Sequence, residues 1–268
     1  MKFARRRALA VSAVGVLVLG AASTRAEVVQ QGNVRVAVSG NLSPQSLPRA
    51  GAAPIAVTVE GSIATVDGSL PPTLKTLRIE LNRHGRLDSR GLPECRIGQI
   101  HPASSAQALA ACRPALVGQG SFSIDVVLGT QDPYPTQGRL LVFNGAYRGR
   151  PALLGQIYAA HPFANSFVIP FQIDRLEHGP YGIALTARLP RAFTNWGHVT
   201  GLRMRFSRRY SYRGARHSFI SAGCPAPSGF SGAPFQLARA TFAFAGGPTL
   251  STMLSRSCQV KGQRRDSA

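Results

Sequence analysis

Val34-Arg35-Val36-Ala37-Val38 alternates valine with a charged or smaller side chain at a period of two. This period puts successive side chains on opposite faces of an extended chain, so it predicts a β-strand with one buried face. Gly, Asn, Ser or Pro bounds this segment and others like it, as turn residues bound strands. Comparable segments recur at residues 55–59, 77–81, 122–126, 140–143, 153–158, 167–173, 181–189, 199–212, 218–222, 238–244 and 250–254.

About a dozen short strands without strand–helix alternation predict an all-β fold, either a β-sandwich or a jelly-roll-like fold. One short helix is expected at residues 104–112, where Ser104 or Ser105 supplies an N-cap oxygen before an alanine-rich run. We expect residues 27–260 to form one β-sandwich domain, and two abutting sandwiches divided near residues 128–138 are the alternative. Residues 261–268 are expected to form a basic flexible tail.

Composition narrows the class of protein. The chain has 268 residues, 44% of them apolar and 16% charged, with 28 Gly and 19 Pro. This composition excludes a disordered or collagen-like chain and provides enough apolar residues for a core. Lys and Arg number 31 against 11 Asp and Glu, a formal net charge of +20, which favours anionic partners.

The first 26 residues have the three parts of a secretory signal peptide. A basic head at residues 2–7 precedes an apolar run at residues 8–22, and Thr24-Arg25-Ala26 is a small-x-small cleavage site. The run is too short for a spanning helix, which needs about 20 apolar residues. We expect cleavage near Ala26 and a mature protein that is secreted, extracellular or held noncovalently at the cell envelope. Arg6-Arg7 leaves general secretory and twin-arginine export both open.

The cysteines predict a disulfide framework. Cys95, Cys112, Cys224 and Cys258 all follow the expected cleavage site, and an even number in an exported chain indicates two disulfides. Three pairings are open, and the shortest loops favour Cys95 with Cys112 and Cys224 with Cys258, each contributing roughly 3 to 4 kcal/mol in chain entropy. The sequence has no C-x-x-C spacing, so we predict no metal site and no cofactor.

The distribution of carboxylates restricts the possible chemistry. Residues 178–265 contain no Asp or Glu, although these 88 positions hold twelve Arg and one Lys. A catalytic pair of carboxyl groups must therefore come from the rest of the chain. The densest polar cluster there contains Glu80, His84 and Asp88, which are the catalytic candidates for an extracellular polymer hydrolase. The alternative is a solvated turn in which Asp88 pairs with a neighbouring arginine.

Other catalytic motifs are missing from the sequence. It has no G-x-S-x-G, H-E-x-x-H, EF-hand or P-loop pattern, and its six histidines occur singly. We therefore favour a protein that is not an enzyme.

Residues 202–213 give the most specific positive signal. Every second residue there is apolar or aromatic except Arg208, and the intervening positions include Arg203, Arg205, Arg209 and Arg213. As one strand this pattern places those four arginines on one face. A turn at Gly214-Ala215 and a return strand would add Arg216 and His217. A row of guanidinium groups beside Tyr210 or Tyr212 suits an extracellular anionic polymer or cell-wall component. The alternative is a solvated strand face that binds no ligand.

Two segments carry a family resemblance. Residues 77–93, LRIELNRHGRLDSRGLP, are followed by Cys95, and residues 221–227 read SAGCPAP. Both resemble segments of uncharacterised secreted proteins from high-GC Gram-positive bacteria. The resemblance implies export and supplies no activity or site.

These observations favour a secreted or cell-envelope-associated, non-catalytic binding module whose Arg203, Arg205, Arg209 and Arg213 contact an anionic polymer. A polymer hydrolase that uses the Glu80–Asp88 region is the alternative, and a structural surface protein without a soluble ligand is a third hypothesis. The sequence does not fix the oligomeric state.

Overall fold

The computed structural model describes residues 26–262, so the predicted signal peptide before Ala26 and the tail after Gly262 lie outside the described residues. Strands account for 60% of the structure and helices for 8%, which confirms the all-β class. Within the described range there are more strands than we expected, because several have only two to four residues. The strands are β1 (Glu27–Gln31), β2 (Val34–Ser43), β3 (Ser46–Leu47), β4 (Ala53–Pro54), β5 (Ala56–Thr65), β6 (Leu74–Asn82), β7 (Gly85–Leu87), β8 (Leu116–Val126), β9 (Tyr134–Tyr147), β10 (Arg150–Ala159), β11 (Asn165–Arg175), β12 (Tyr181–Arg188), β13 (Gly197–Phe206), β14 (Arg209–Tyr212), β15 (Ala215–Ser218), β16 (Ile220–Ala222), β17 (Gly232–Phe244) and β18 (Thr249–Val260).

Thirteen of these strands form one curled sheet, in the order β1-β2-β5-β13-β8-β9-β10-β11-β12-β6-β17-β18-β3. The chain runs through β8 to β12 as consecutive antiparallel neighbours, and residues 127–133 connect β8 to β9. Other pairs, such as β5 with β13 and β6 with β17, join distant parts of the sequence. Apolar side chains of β2 and β5 pack against those of β6, β17 and β18, so the two ends of the sheet lie over each other.

The interior of the curled sheet is an apolar core. Inward-facing side chains of β8, β9, β10, β12 and β13 pack together there, and Met204 is one of the buried residues. Strands β8 and β13 approach each other closely at Gly120, where an added Cβ would collide with the carbonyl group of Arg203 on β13. A residue without a Cβ is therefore required at this point.

Two helices cover part of the outer face of the sheet. They are α1 (Ile97–Ile100) and α2 (Ser105–Cys112), and α2 confirms the predicted helix. Ser104 caps α2 by accepting a hydrogen bond from the backbone N–H of Gln107 at 3.3 Å. The Cys95–Cys112 disulfide holds the end of α2 against buried residues of β9 and β10.

The remaining elements lie beside the large sheet. Strands β14 and β15 form a separate hairpin, and β4, β16 and β7 form a small three-stranded sheet. The second disulfide, Cys224–Cys258, joins the chain just after β16 to β18, so both disulfides have the favoured pairing. A third helix, α3 (Arg191–Thr194), precedes β13. Among the described residues, no helix is long and apolar enough to cross a membrane.

Candidate anion-binding hairpin

The arginine-rich stretch at residues 202–213 forms two strands, and this corrects the single strand that we considered. Strand β13 ends at Phe206 inside the large sheet, and β14 starts at Arg209 in the separate hairpin. The backbone N–H of Phe219 donates to the carbonyl of Arg208 at 2.9 Å, which holds the hairpin base where the two strands part. The four predicted arginines therefore do not share one strand face.

The two arginines on β13 lie within the large sheet. Arg203 and Arg205 pair in register with residues of β5 on one side and β8 on the other, and both side chains are exposed. The Arg203 Nε atom lies 2.9 Å from a carboxylate oxygen of Glu60, its register partner on β5. The Glu60 carboxylate thus already neutralises one of the four arginines that were predicted to contact an anion.

The β14–β15 hairpin turns at Arg213 and Gly214, one residue earlier than predicted. Their φ angles are 49° and 77°, and Tyr212 pairs with Ala215 across the turn. Positive φ at both central residues is the pattern of a type I′ turn, which matches the twist of a two-residue hairpin. The turn therefore exposes Arg213 at the tip of the hairpin.

A second segment, residues 85–91, packs against this hairpin. Strand β7 pairs with β16, which directly follows the hairpin, and the backbone N–H of Asp88 donates to the carbonyl of Phe219 at 2.9 Å. This pairing brings the Asp88 carboxylate to 3.5 Å from Nδ1 of His217. The Tyr210 hydroxyl donates to the Asp88 carbonyl at 3.0 Å. Two polar segments that are far apart in sequence thus form one site.

Arg90 holds the Asp88 carboxylate in this loop. Its Nε and Nη2 atoms donate to the two carboxylate oxygens at 3.0 and 2.9 Å, and its backbone N–H donates at 3.1 Å. The Arg90 side chain, followed by its backbone N–H and by His217, lowers the pKa of Asp88 to about 2, although burial acts in the opposite direction. Asp88 is therefore ionised at neutral pH and cannot serve there as a general acid.

Aromatic rings fill the space between the hairpin and the loop. The Tyr210 ring stacks on His217 with centroids 5.5 Å apart, and Tyr212 meets His217 edge-on at 5.9 Å. The Tyr212 ring also lies over Gly91, where a Cβ would have no room, and the Arg213 guanidinium lies 5.2 Å from the ring centroid. These contacts fix the hairpin on the loop.

Carboxylates from the first part of the chain neutralise several arginines of the second part. Three ion pairs join the first part of the chain to the second: Glu60 with Arg203, Glu80 with Arg239 and Glu27 with Arg256. Within residues 26–262, no carboxylate lies within ion-pair distance of Arg209, Arg213 or Arg216, and all three side chains are exposed. We call β14 and β15 with these three arginines the basic hairpin. Its positive charge is available to an external anion.

The three hydrolase candidates have separate sets of partners. The buried Glu80 accepts hydrogen bonds from Arg239 at 2.5 Å and from Arg78 at 3.2 Å, and Arg239 is the main cause of its lowered pKa. His84 is an exposed turn residue, whereas Asp88 lies against the basic hairpin. The structure gives no support to a cooperating acid–base pair. No cluster suited to a metal ion occurs among the residues that the structure describes.

An apolar cleft was not predicted from the sequence. Inward-facing residues of β8, β10 and β11 line it together with Phe193, and the partly exposed Phe163 and Trp196 stand at its rim. Trp196 gave no pattern signal because it is the single tryptophan, in a short loop. Neither Lys nor Arg is among the described lining residues, so the basic hairpin is the stronger candidate for an anion site.

Sequence reasoning singled out Asp88, Arg209, Arg213, Arg216 and His217, but it did not bring them together. The sequence predicted that Asp88 pairs with a neighbouring arginine, but it did not identify Arg90 as that arginine. Comparisons with protein-family models, with curated proteins and with solved structures find no match.

Proposed function

We propose that this protein is an exported, non-catalytic module that binds an anionic polymer outside the cell or at the cell envelope. The basic hairpin supplies the binding groups. Arg203 and Arg205, which the sequence pattern also predicts as anion contacts, lie on another strand, and Arg203 is paired with Glu60. The proposal therefore replaces the single arginine row by Arg209, Arg213 and Arg216, with Arg90 beside them.

The observation that carries the proposal is that three exposed arginines, none with a carboxylate partner in the described part of the chain, lie together on one short hairpin. Other arginines of the same half, Arg239 and Arg256, have internal partners. A short hairpin fixed by ring contacts and by the Asp88 loop presents its guanidinium groups with little ordering cost on binding. Guanidinium groups suit phosphate, sulfate and carboxylate because they form paired, charge-assisted hydrogen bonds.

Export supports the same assignment. Two disulfides persist in an oxidising compartment, and a strongly basic protein there meets polymers that carry repeated negative charge. The leader at residues 1–26 and the resemblance to secreted proteins are further support.

The test is binding of the purified protein to polyphosphate across a salt series, compared with a variant carrying Arg209→Ser, Arg213→Ser and Arg216→Ser. We expect the wild type to bind with an affinity that falls steeply with salt, because binding releases counterions. The variant should lose most of the affinity, and its slope of log K against log salt should be shallower by about 2, at about 0.7 for each lost contact.

A matched control carries Arg35→Ser, Arg148→Ser and Arg188→Ser, three exposed arginines outside the hairpin that remove the same total charge. Equal losses in both triple variants would reduce the effect to net charge and overturn the proposed site. No binding of the wild type to any polyanion at low salt would overturn the function itself.

A further inference from the structure

The aromatic rings at the basic hairpin have internal partners, and this bears on which polyanion the hairpin accepts. Tyr210 is stacked on His217, packs against the core and uses its hydroxyl on the Asp88 carbonyl. Tyr212 contacts Gly91, His217 and the Arg213 guanidinium. His217 lies between the two tyrosines and beside the Asp88 carboxylate.

Single-stranded nucleic acid is usually bound in another way. Its bases stack on aromatic side chains while basic groups follow the backbone. Stacking requires a ring with an accessible face, whereas each of the three rings at this hairpin is partly buried and already contacts groups of the protein. The exposed groups are the guanidiniums of Arg209, Arg213, Arg216 and Arg90, the last of which is 78% exposed while its inner side holds Asp88.

On the basis of the proposed function, we infer that the basic hairpin recognises a polymer through its phosphate or sulfate groups alone, without stacking a base or a ring. The tyrosines and His217 position the arginines, and they do not contact the ligand. The favoured ligand class is a phosphodiester, polyphosphate or sulfated polymer, and a sequence-reading or base-stacking mode is excluded by this inference.

The test compares two probes with the same backbone, an oligothymidylate and an abasic deoxyribose-phosphate polymer of equal length, at several salt concentrations. We expect their dissociation constants to agree within about twofold at each salt concentration. A single stacked base would make the thymidylate bind roughly 5-fold to 150-fold more tightly, which follows from about 1–3 kcal/mol per stacked base. A preference of that size would overturn the inference.

Polyphosphate and dextran sulfate are two further arms that separate phosphate from sulfate as the source of the anionic group. Binding of either one, lost in the Arg209→Ser, Arg213→Ser, Arg216→Ser variant, is the expected result. If no probe binds, the proposed function fails. If the probes bind with a strong base preference, the proposed function stands and only this inference fails.

Discussion

Asp88 is the residue that ties the two predicted segments into one site. Its carboxylate is shared between Arg90 and His217, and its backbone contacts Phe219 and Tyr210. The sequence predicted a turn in which this aspartate pairs with a nearby arginine, and that local part is confirmed. The contact with His217 depends on β7 pairing with β16, so local spacing alone could not reveal it.

The lowered pKa of Asp88 predicts a defined pH dependence. The carboxyl has a pKa of about 2 in the folded protein and of about 3.9 in an unfolded chain. The folded state therefore favours the ionised form, so the stabilisation is complete above about pH 4 and is lost as the pH falls from about 4 to about 2. We expect Asp88→Asn to lower the free energy of unfolding at pH 7, with a difference from wild type that shrinks below pH 4. Urea unfolding of both proteins at a series of pH values measures this.

Asp132→Asn is the matched control, because Asp132 is an exposed aspartate in the connection between β8 and β9. It should leave the free energy of unfolding nearly unchanged at pH 7. A difference between Asp88→Asn and wild type that stayed constant down to pH 2 would contradict a role for the ionised carboxylate.

At the scale of elements, the alternation of side chains predicted where strands lie, but it predicted one strand where the structure has β13 and β14. The period of two continues from Leu202 to Tyr212 except at Arg208, which occupies a position of the apolar series beside the break after Phe206, and this single mismatch is too weak a signal to predict two strands. The break has a tertiary cause. Strand β13 pairs with β5 and β8 up to Phe206, whereas β14 pairs with its own return strand. The turn at Arg213-Gly214 sets the return strand as the partner of β14, and the predicted turn at Gly214-Ala215 lies one residue after the observed one.

Two turns of the same kind allow a paired prediction for the hairpin. Tyr147-Arg148-Gly149 and Tyr212-Arg213-Gly214 both place arginine and glycine at positive φ, and each arginine lies 5.2 Å from the preceding tyrosine ring. An alanine in place of either glycine is disfavoured by about 1–2 kcal/mol, because its Cβ clashes in the left-handed conformation. We expect Gly149→Ala to lower the global free energy of unfolding, since that turn joins two strands of the large sheet.

We expect Gly214→Ala to affect polyanion binding more than the global free energy of unfolding. The β14–β15 hairpin lies outside the large sheet, so its distortion should weaken polyanion binding severalfold with a smaller effect on global unfolding. Denaturant midpoints and polyphosphate affinities, measured for both variants, test this prediction. Weaker binding in Gly149→Ala than in Gly214→Ala would count against the hairpin as the binding element.

At the scale of the whole molecule, charge is distributed differently in space and in sequence. In the sequence, residues 178–265 contain no Asp or Glu and carry twelve Arg and one Lys. Folding brings Glu27, Glu60 and Glu80 to arginines of that stretch. The pairs depend on sheet contacts such as β5 with β13 and β6 with β17, which span more than a hundred residues and leave no periodic signal. The all-β class and the disulfide pairing could be predicted, because they depend on local period and on short loops.

The remaining excess of positive charge should make stability respond to salt. Like charges repel more strongly in the compact state than in the unfolded chain, and salt screens exposed charges over about 10 Å at 0.1 M. We therefore expect the unfolding temperature to rise when salt is increased from about 0.01 M to about 0.15 M. The exposed pair of Glu60 with Arg203 should weaken over the same range, but single exposed ion pairs contribute less than about 1 kcal/mol, so repulsion dominates.

The variant with Arg209→Ser, Arg213→Ser and Arg216→Ser makes this prediction specific to the basic hairpin. If the three unpaired guanidiniums repel one another, the variant should unfold at a higher temperature than wild type in low salt, and the gap should close as salt rises. Polyphosphate should raise the unfolding temperature of the wild type by mass action and leave that of the variant nearly unchanged. Scanning calorimetry measures both effects, and the Arg35→Ser, Arg148→Ser, Arg188→Ser variant should keep the shift with polyphosphate. A fall in the wild-type unfolding temperature with salt would mean that ion pairs outweigh repulsion, which would contradict the view of the hairpin as a cluster of uncompensated charge.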